Sequence, residues 1–225
     1  MLENVELLWL GGKSKGSIKN KFNRVAKIQQ NYYEIDRKLR ELCNSQNSEK
    51  RVYAYSVLLM IETSIRVGNQ KSASGYVSKA PKTKGQILKT YGLTTLLKSH
   101  ISFEDYFNSI DLTTDRLQDV IPSKMILDFV GKKSVEHLIT ITDPLLVKIG
   151  FEFHSASKGE RWLSLEDGTE ITDRMLNKFI KKSISTIFSA KDFRSFRANI
   201  EAARLSQSAL QVEVESKKKI INEEV

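Results

Sequence analysis

The chain has 225 residues, 40% apolar and 28% charged, and its 36 Lys and Arg outweigh 27 Asp and Glu to give a net charge of +9. That apolar content is too high for intrinsic disorder and enough to bury a core, and no apolar run approaches the ~18 residues of a membrane helix. The opening MLENVELLWL has no secretory-signal pattern, and the lone Cys43 excludes an internal disulfide framework and a cysteine-based metal site, so a reducing cytoplasm is the expected setting.

In chain order, residues 1–30 mix short apolar runs with Gly11, Gly12 and Gly16 and read as strand and loop. From Asn31 to Asn44 the spacing of Tyr32, Ile35, Leu39 and Leu42 predicts a helix, broken by Asn44-Ser45-Gln46-Asn47-Ser48. A second helix is predicted over 49–67 from Val52, Tyr55, Leu58, Leu59 and Ile65, with Gly68-Asn69 as its stop. Residues 70–90, rich in Lys, Ser and Gly and holding Pro81, read as an exposed, mobile loop. Leu93-Thr94-Thr95-Leu96 fits the start of either a helix or a strand. The β-branched runs Met125–Val130 and Val135–Ile141 flank Gly131-Lys132-Lys133-Ser134, the signature of a hairpin turn. Helices are expected again at about 143–150, 172–188 and 190–216, the last opened by Ser189 with Asp192 three residues on, a variant capping box. Lys217–Val225 reads as an amphipathic stretch cut in mid-element.

Charge is distributed unevenly. Residues 11–30 and 69–100 carry lysines and an arginine but no acid, whereas Glu104, Asp105, Asp111, Asp115 and Asp119 gather at 104–119. Segregation of this kind suits a protein that tracks phosphates. Three places could carry chemistry. Arg66, in the predicted last turn of its helix, would by itself be only a cation complementing the helix C-terminus. Lys132 at the hairpin tip would by itself be a polar turn residue. Arg194 and Arg197 share one face of the last predicted helix while Phe193, Phe196 and Ile200 anchor it, which alone would be a solvated basic face.

Together these places resemble the catalytic domain of the type IB DNA topoisomerases. Ile65-Arg66-Val67-Gly68-Asn69 matches the family's I-R-x-G-N, and Tyr91-Gly92-Leu93-Thr94-Thr95-Leu96 with His100 matches Y-G-L-x-T-L and its following histidine. Phe129-Val130-Gly131-Lys132 with Glu136-His137 matches F-x-G-K and x-H, and Ala190 to Ser195 matches A-K-D-F-R-[ST]. The likeness runs over residues 48–205, and more weakly from residue 11. It implies an α+β fold, mainly helical, with a small antiparallel sheet whose hairpin carries Lys132, shared with the tyrosine recombinases. It also implies a division into a remnant of the family's N-terminal β-rich DNA clamp at 1–30 and a catalytic domain at 31–225.

The chemistry implied is strand cleavage through a 3′-phosphotyrosine. Arg66 and Arg194 match the residues that stabilise charge on the non-bridging oxygens, and Lys132 the general acid for the 5′-hydroxyl. Lys71, Lys98, His100, Lys133, Lys191 and Arg197 are the expected further contacts to double-stranded DNA, bound by a monomer. No cofactor and no metal are expected, in keeping with a sequence that lacks a carboxylate cluster and a Gly-x-x-x-x-Gly-Lys loop. Two parts of the pattern are absent: none of the seven tyrosines follows Arg194, and the last histidine is His154. The chain as written is therefore expected to end before the family's histidine and nucleophile and not to form the covalent intermediate. The stretch 70–90 is longer than in bacterial relatives, and Ser72 stands where a DNA-contacting tyrosine is often found. A tyrosine recombinase is the sibling reading, but Lys191 occupies the place of the histidine in its His-x-x-Arg. A DNA-holding module that does not cut is the reading from another class.

Overall fold

The structure, a computed structural model, describes the backbone of residues 15–79, 81–111 and 116–223, with side chains over 20–79, 81, 83–105 and 122–208. Its first element, α1 (Lys15–Gln30), is a helix where strand and loop are expected. Its polar sequence hides the pattern, because among its described side chains, those of residues 20–30, only Val25 and Ile28 are buried, one turn apart. A short break at Asn31 leads into α2 (Tyr32–Cys43), as the periodicity predicts. Ile35, Leu39 and Cys43 face the core, while Arg37 on the outer face pairs with Glu34 and Glu41.

The next helix, α3 (Ser48–Thr63), starts at Asn47, whose side chain accepts the Lys50 N–H at 2.8 Å. Every residue from Val52 to Ile61 is buried, the mark of a helix that runs through a core instead of lying on it. Ser56 satisfies its hydroxyl by donating to the Val52 carbonyl at 2.8 Å. The helix ends four residues earlier than expected: Ser64, in the left-handed region at φ 56°, is its C-terminal cap. Arg66 is thus not in a last helical turn but in the non-helical segment beyond it.

The stretch expected to be a mobile loop is built. It contains α4 (Gln70–Ser74) and a two-stranded antiparallel ribbon, β1 (Tyr76–Val77) with β2 (Ile87–Leu88). Two short 3₁₀ turns, Leu93–Thr95 and Lys98–His100, follow. The first resolves the ambiguous Leu93–Leu96 segment as neither α-helix nor strand.

The main sheet is antiparallel in the order β3 (Ile101–Asp111), β4 (Arg116–Gly131), β5 (Val135–Ile141). Met125, Leu127 and Phe129 alternate inward along β4 and meet Ile141 and α5 (Pro144–Ala156). Of the acidic stretch 104–119, only Glu104 and Asp105 have described side chains, and Asp105 pairs with Lys124 at 2.5 Å. Asp115 lies outside the described residues, and Asp111 and Asp119 are described in backbone only.

Tyr55, fully buried, joins α3 to α5 by donating to the Leu146 carbonyl at 3.2 Å with Trp162 edge-on at 5.8 Å. α6 (Asp173–Ser183) packs Phe179 on Tyr53. The last helix, α7 (Ala190–Glu223), opens as the capping pattern predicts, with the Asp192 carboxylate accepting the Ser189 N–H at 3.0 Å and its hydroxyl at 2.7 Å. The same carboxylate accepts Arg24 Nε at 3.1 Å, which fastens α1 to α7. The fold is α+β, mainly helical with small antiparallel sheets, as expected. Among the described residues no helix is long and apolar enough to cross a membrane.

Candidate active site

After the Ser64 cap the chain runs extended past α3 and is clamped by the segment 92–95. Leu93 donates to the Arg66 carbonyl and Thr94 to the Val67 carbonyl, both at 2.7 Å. The Thr94 hydroxyl adds a bond to Val67 O at 2.9 Å. The two segments touch backbone to backbone because each contributes a glycine. Gly68 has φ +101°, and a Cβ on Gly92 would fall 2.7 Å from the Arg66 carbonyl oxygen and 2.6 Å from the Gly68 nitrogen. Thr95 holds the clamp shut by accepting the Gly92 N–H at 3.0 Å. The Tyr-Gly-Leu-Thr-Thr-Leu motif is therefore the bracket of the Arg66 main chain, while the Arg66 side chain stays exposed.

The same bracket ties to the hairpin. Tyr91 donates its N–H to Val130 O at 2.8 Å, two residues before Lys132. The turn 132–134 has Lys133 and Ser134 at φ 67° and 57°, so the left-handed positions are taken by these two residues and not by Gly131. Gly131 is needed for another reason: a Cβ there would sit 2.6 Å from the ring of His137. That ring stacks on Phe129, its cross-strand partner, at 4.9 Å and 16°.

Arg194 comes from α7. Its Nε donates to the Ser64 carbonyl at 2.7 Å, across 130 residues of sequence, which holds the guanidinium two residues from Arg66. Burial lowers its pKa, and the Arg66 charge lowers it further. Burial, then Arg194, then Arg66 also depress the pKa of His137. The two arginines and the hairpin imidazole thus share one electrostatic neighbourhood. Beside it opens a cavity of about 1330 Å³ lined by Arg66, Asn69, Lys71, Tyr76, Lys132 and Lys133 among others.

Arg66, Lys132, Lys71 and Lys133 are brought together on this cavity, and Arg194 approaches it by way of Ser64. The other expected contacts are placed differently. Lys98 donates to the Ser157 carbonyl at 3.2 Å. His100 accepts the Leu97 N–H at 3.1 Å and lies edge-on to Tyr91 at 4.4 Å. Lys191 is exposed at the start of α7, and Arg197 pairs with Glu201 at 2.9 Å. Sequence reasoning quoted His137 and Asn69 within motifs, and Asn69 in a helix stop, but gave neither of them nor Tyr76 a place in the site. The signal for His137 was there: in alternating strands, a histidine opposite Phe129 and two residues past Val135 falls over Gly131. Chemically, the cavity gathers the positive charge of Arg66, Lys71, Lys132 and Lys133, with the guanidinium of Arg194 held nearby at Ser64.

Three comparisons bear on this geometry. Residues 13–224 match the family model described as the eukaryotic DNA topoisomerase I catalytic core. Over 120 residues the chain is 28% identical to a DNA topoisomerase 1B of Acanthamoeba polyphaga mimivirus, covering 50% of this chain and 30% of that protein. Among solved structures, the XerH site-specific recombinase bound to difH substrate, in a pre-cleavage complex, is similar with a TM-score of 0.45 at 10% identity, over 91% of this chain and 46% of that one. Its post-cleavage complex with palindromic difH gives 0.41 at 10% identity, over 73% and 39%. The chain thus spans under a third of the viral protein and under half of either recombinase chain.

Proposed function

This chain belongs to the family of the eukaryotic DNA topoisomerase I catalytic core, and from that premise we propose that its cavity holds the scissile phosphate of double-stranded DNA. In this reading Arg66 and Arg194 neutralise the charge that builds on the non-bridging oxygens as a tyrosine oxygen bonds to phosphorus. Lys132 gives its proton to the departing 5′-oxygen as the P–O bond breaks, leaving a 3′-phosphotyrosine and a 5′-hydroxyl. Reversal after strand rotation relaxes supercoils. The nucleophile is a tyrosine that does not occur after Arg194 in this sequence. Lys71 and Lys133, on the same cavity, are the nearest further phosphate contacts, with Lys98, His100, Lys191 and Arg197 farther along the duplex.

The observation that carries the reading is the clamp of the Arg66 backbone by Gly92–Thr95, with Arg194 bonded to Ser64 beside it. It supports a site in which the Arg194 guanidinium and the main chain that carries Arg66 are in place before any ligand arrives, as electrostatic catalysis of phosphoryl transfer favours. The same reading takes 31–225 as the catalytic domain and 1–30 as what remains of the DNA clamp, acting in a monomer. It also keeps a cytoplasmic setting, in line with Cys43 as the lone cysteine.

The test is duplex binding by the 225-residue chain. Between ~50 and ~200 mM salt the affinity is expected to fall by ~10³ or more, because several phosphates are neutralised. A loss below tenfold in a fluorescence-anisotropy titration would remove the phosphate-tracking basis of the proposal.

A further inference from the structure

Arg194 is only as well placed as the helical turn that carries it. α7 is 34 residues long, and its first turn is gripped from several sides. Asn177 of α6 accepts the Ala190 N–H at 3.0 Å. Ser189 gives its N–H and its hydroxyl to one oxygen of Asp192, at 3.0 and 2.7 Å. The other oxygen accepts Arg24 Nε, from α1, at 3.1 Å. The Asp192 side chain is only 3% exposed, so Arg24 answers a carboxylate that has been taken out of water. Asp192 and Arg194 stand two residues apart, roughly 200° around a helix of about 3.6 residues per turn. The turn is therefore held on nearly opposite sides, by Arg24 at Asp192 and by the Ser64 carbonyl, 2.7 Å from Arg194 Nε. Phe193 and Phe196 are buried beside these contacts. Apolar packing is non-directional, however, and resists rotation of a helix about its axis less than a charged hydrogen bond does. A rotation of ~20° at a side-chain radius of ~5–6 Å carries a group about 2 Å, enough to part Arg194 from Ser64.

We infer that Arg24 is a positioning residue for Arg194: through Asp192 it sets the rotation of the first turn of α7, and so the place of the second guanidinium of the site. Its functional weight rests on the reading of Arg194 as a phosphate contact, whereas the placement itself is measurable in the protein alone. The inference gives α1 a part in the site although none of its described side chains lines the cavity. The route runs from α1 through a buried carboxylate to α7, and from α7 to the cap of α3.

The test uses the 225-residue chain and reads Arg194 directly. Proton exchange at Arg194 Nε, followed by NMR, reports whether the bond to Ser64 is made, and the amides of α3 report global opening in the same samples. In Arg24→Gln, Asp192 keeps both Ser189 bonds and its place at a helix N-terminus, so the variant folds. It is expected to speed exchange at Arg194 Nε by about tenfold more than at the α3 amides. Arg24→Lys, able to donate the single bond that Arg24 makes, is expected to stay within about threefold of the wild type. Arg40→Ala, which breaks an ion pair elsewhere in the fold, is the control expected to speed Arg194 no more than the α3 amides. On a duplex, Arg24→Gln and Arg194→Ala are each expected to lower the salt slope by about one, and the double variant also by about one, because both remove the same contact. The inference is overturned if exchange at Arg194 Nε in Arg24→Gln rises no more than at the α3 amides. A fall of about two in the double variant would overturn it as well, and would make Arg24 a phosphate contact in its own right. An unaltered slope in Arg194→Ala would instead remove the phosphate role of Arg194, while the exchange rates still decide whether Arg24 places it.

Discussion

Arg40 and Arg194 are the same residue type in two regions of one molecule, and their partners differ. On the side formed by α2 and α5, Arg40 pairs with Asp36 at 2.8 Å and with Asp143 at 2.9 Å, and Arg51 pairs with Glu152. Beyond α3, Arg66 and Arg194 have no carboxylate partner among the described residues, and Arg194 rests on a backbone carbonyl. On the first side each charge is answered within the fold. On the second, two like charges are held close enough that one lowers the pKa of the other. The fold tolerates this repulsion because the Ser64 cap and the Gly68–Gly92 clamp over-determine the backbone there. The contrast separates arginines answered by carboxylates from arginines left without them, and under the proposed function an anion would relieve the repulsion.

The largest expected effect divides the two sides. In the chain joined to a family C-terminal segment bearing the histidine and tyrosine, Arg66→Ala or Arg194→Ala is expected to slow covalent adduct formation by ~10²–10³, with duplex affinity changed less than tenfold. Arg40→Ala is expected to leave that rate unchanged and to lower stability by about 1 kcal/mol, because it strips Asp143 of its partner. Single-turnover cleavage and urea denaturation measure the two axes. Cleavage by the unjoined 225-residue chain would show that one of its earlier tyrosines is the nucleophile.

Next in size is Gly92→Ala. The new methyl would meet Arg66 O and the Gly68 backbone at 2.7 Å, so the clamp must open. A loss of about 2–3 kcal/mol is expected in denaturation, together with slower cleavage, because the Arg66 main chain is what moves. Gly159→Ala, where an added Cβ meets nothing within 4 Å, is the control expected to do neither.

The smallest effect is on pH. Burial lowers the pKa of His100, His137 and His154 in the fold. Their contribution to stability is therefore full above the unfolded histidine value of ~6.5 and is lost as pH falls through the depressed folded values. Thermal melting should move down from pH 7.5 to pH 5. His137 also feels Arg194 and Arg66, so this acid limb should shrink in Arg66→Ala and stay unchanged in Arg40→Ala. Equal limbs in the two variants would break the electrostatic side of the comparison.

Much of the fold was legible because its signals are local. The apolar spacing in α2 and α3 and the β-branched runs around Gly131–Ser134 each specify an element without outside help. What was misread depends on distant partners. Among its described side chains α1 buries only Val25 and Ile28, and it is fastened by Arg24 to Asp192, 168 residues away, so these residues carry little pattern. The end of α3 was placed at Gly68 because glycine is the usual left-handed cap, whereas Ser64 adopts that conformation and Gly68 serves the approach to Gly92. The β1–β2 ribbon has strands of two residues, too short for any alternation to show. In the site, the motifs around Arg66, Lys132 and Arg194 stood out as sequence, but the clamp that makes one motif the support of another emerges only in three dimensions.

The bond from Arg194 to Ser64 has a consequence for the order in which the protein is made. It joins residues 130 positions apart, and the Arg24–Asp192 pair joins residues still farther apart. A chain emerging from the ribosome has Arg66 and its bracket outside long before α7 exists to deliver the second guanidinium. Contacts of such sequence separation form late, after local helices and the hairpin are in place. Nascent chains shorter than about 194 residues thus carry the Arg66 bracket without the guanidinium that α7 later brings to Ser64.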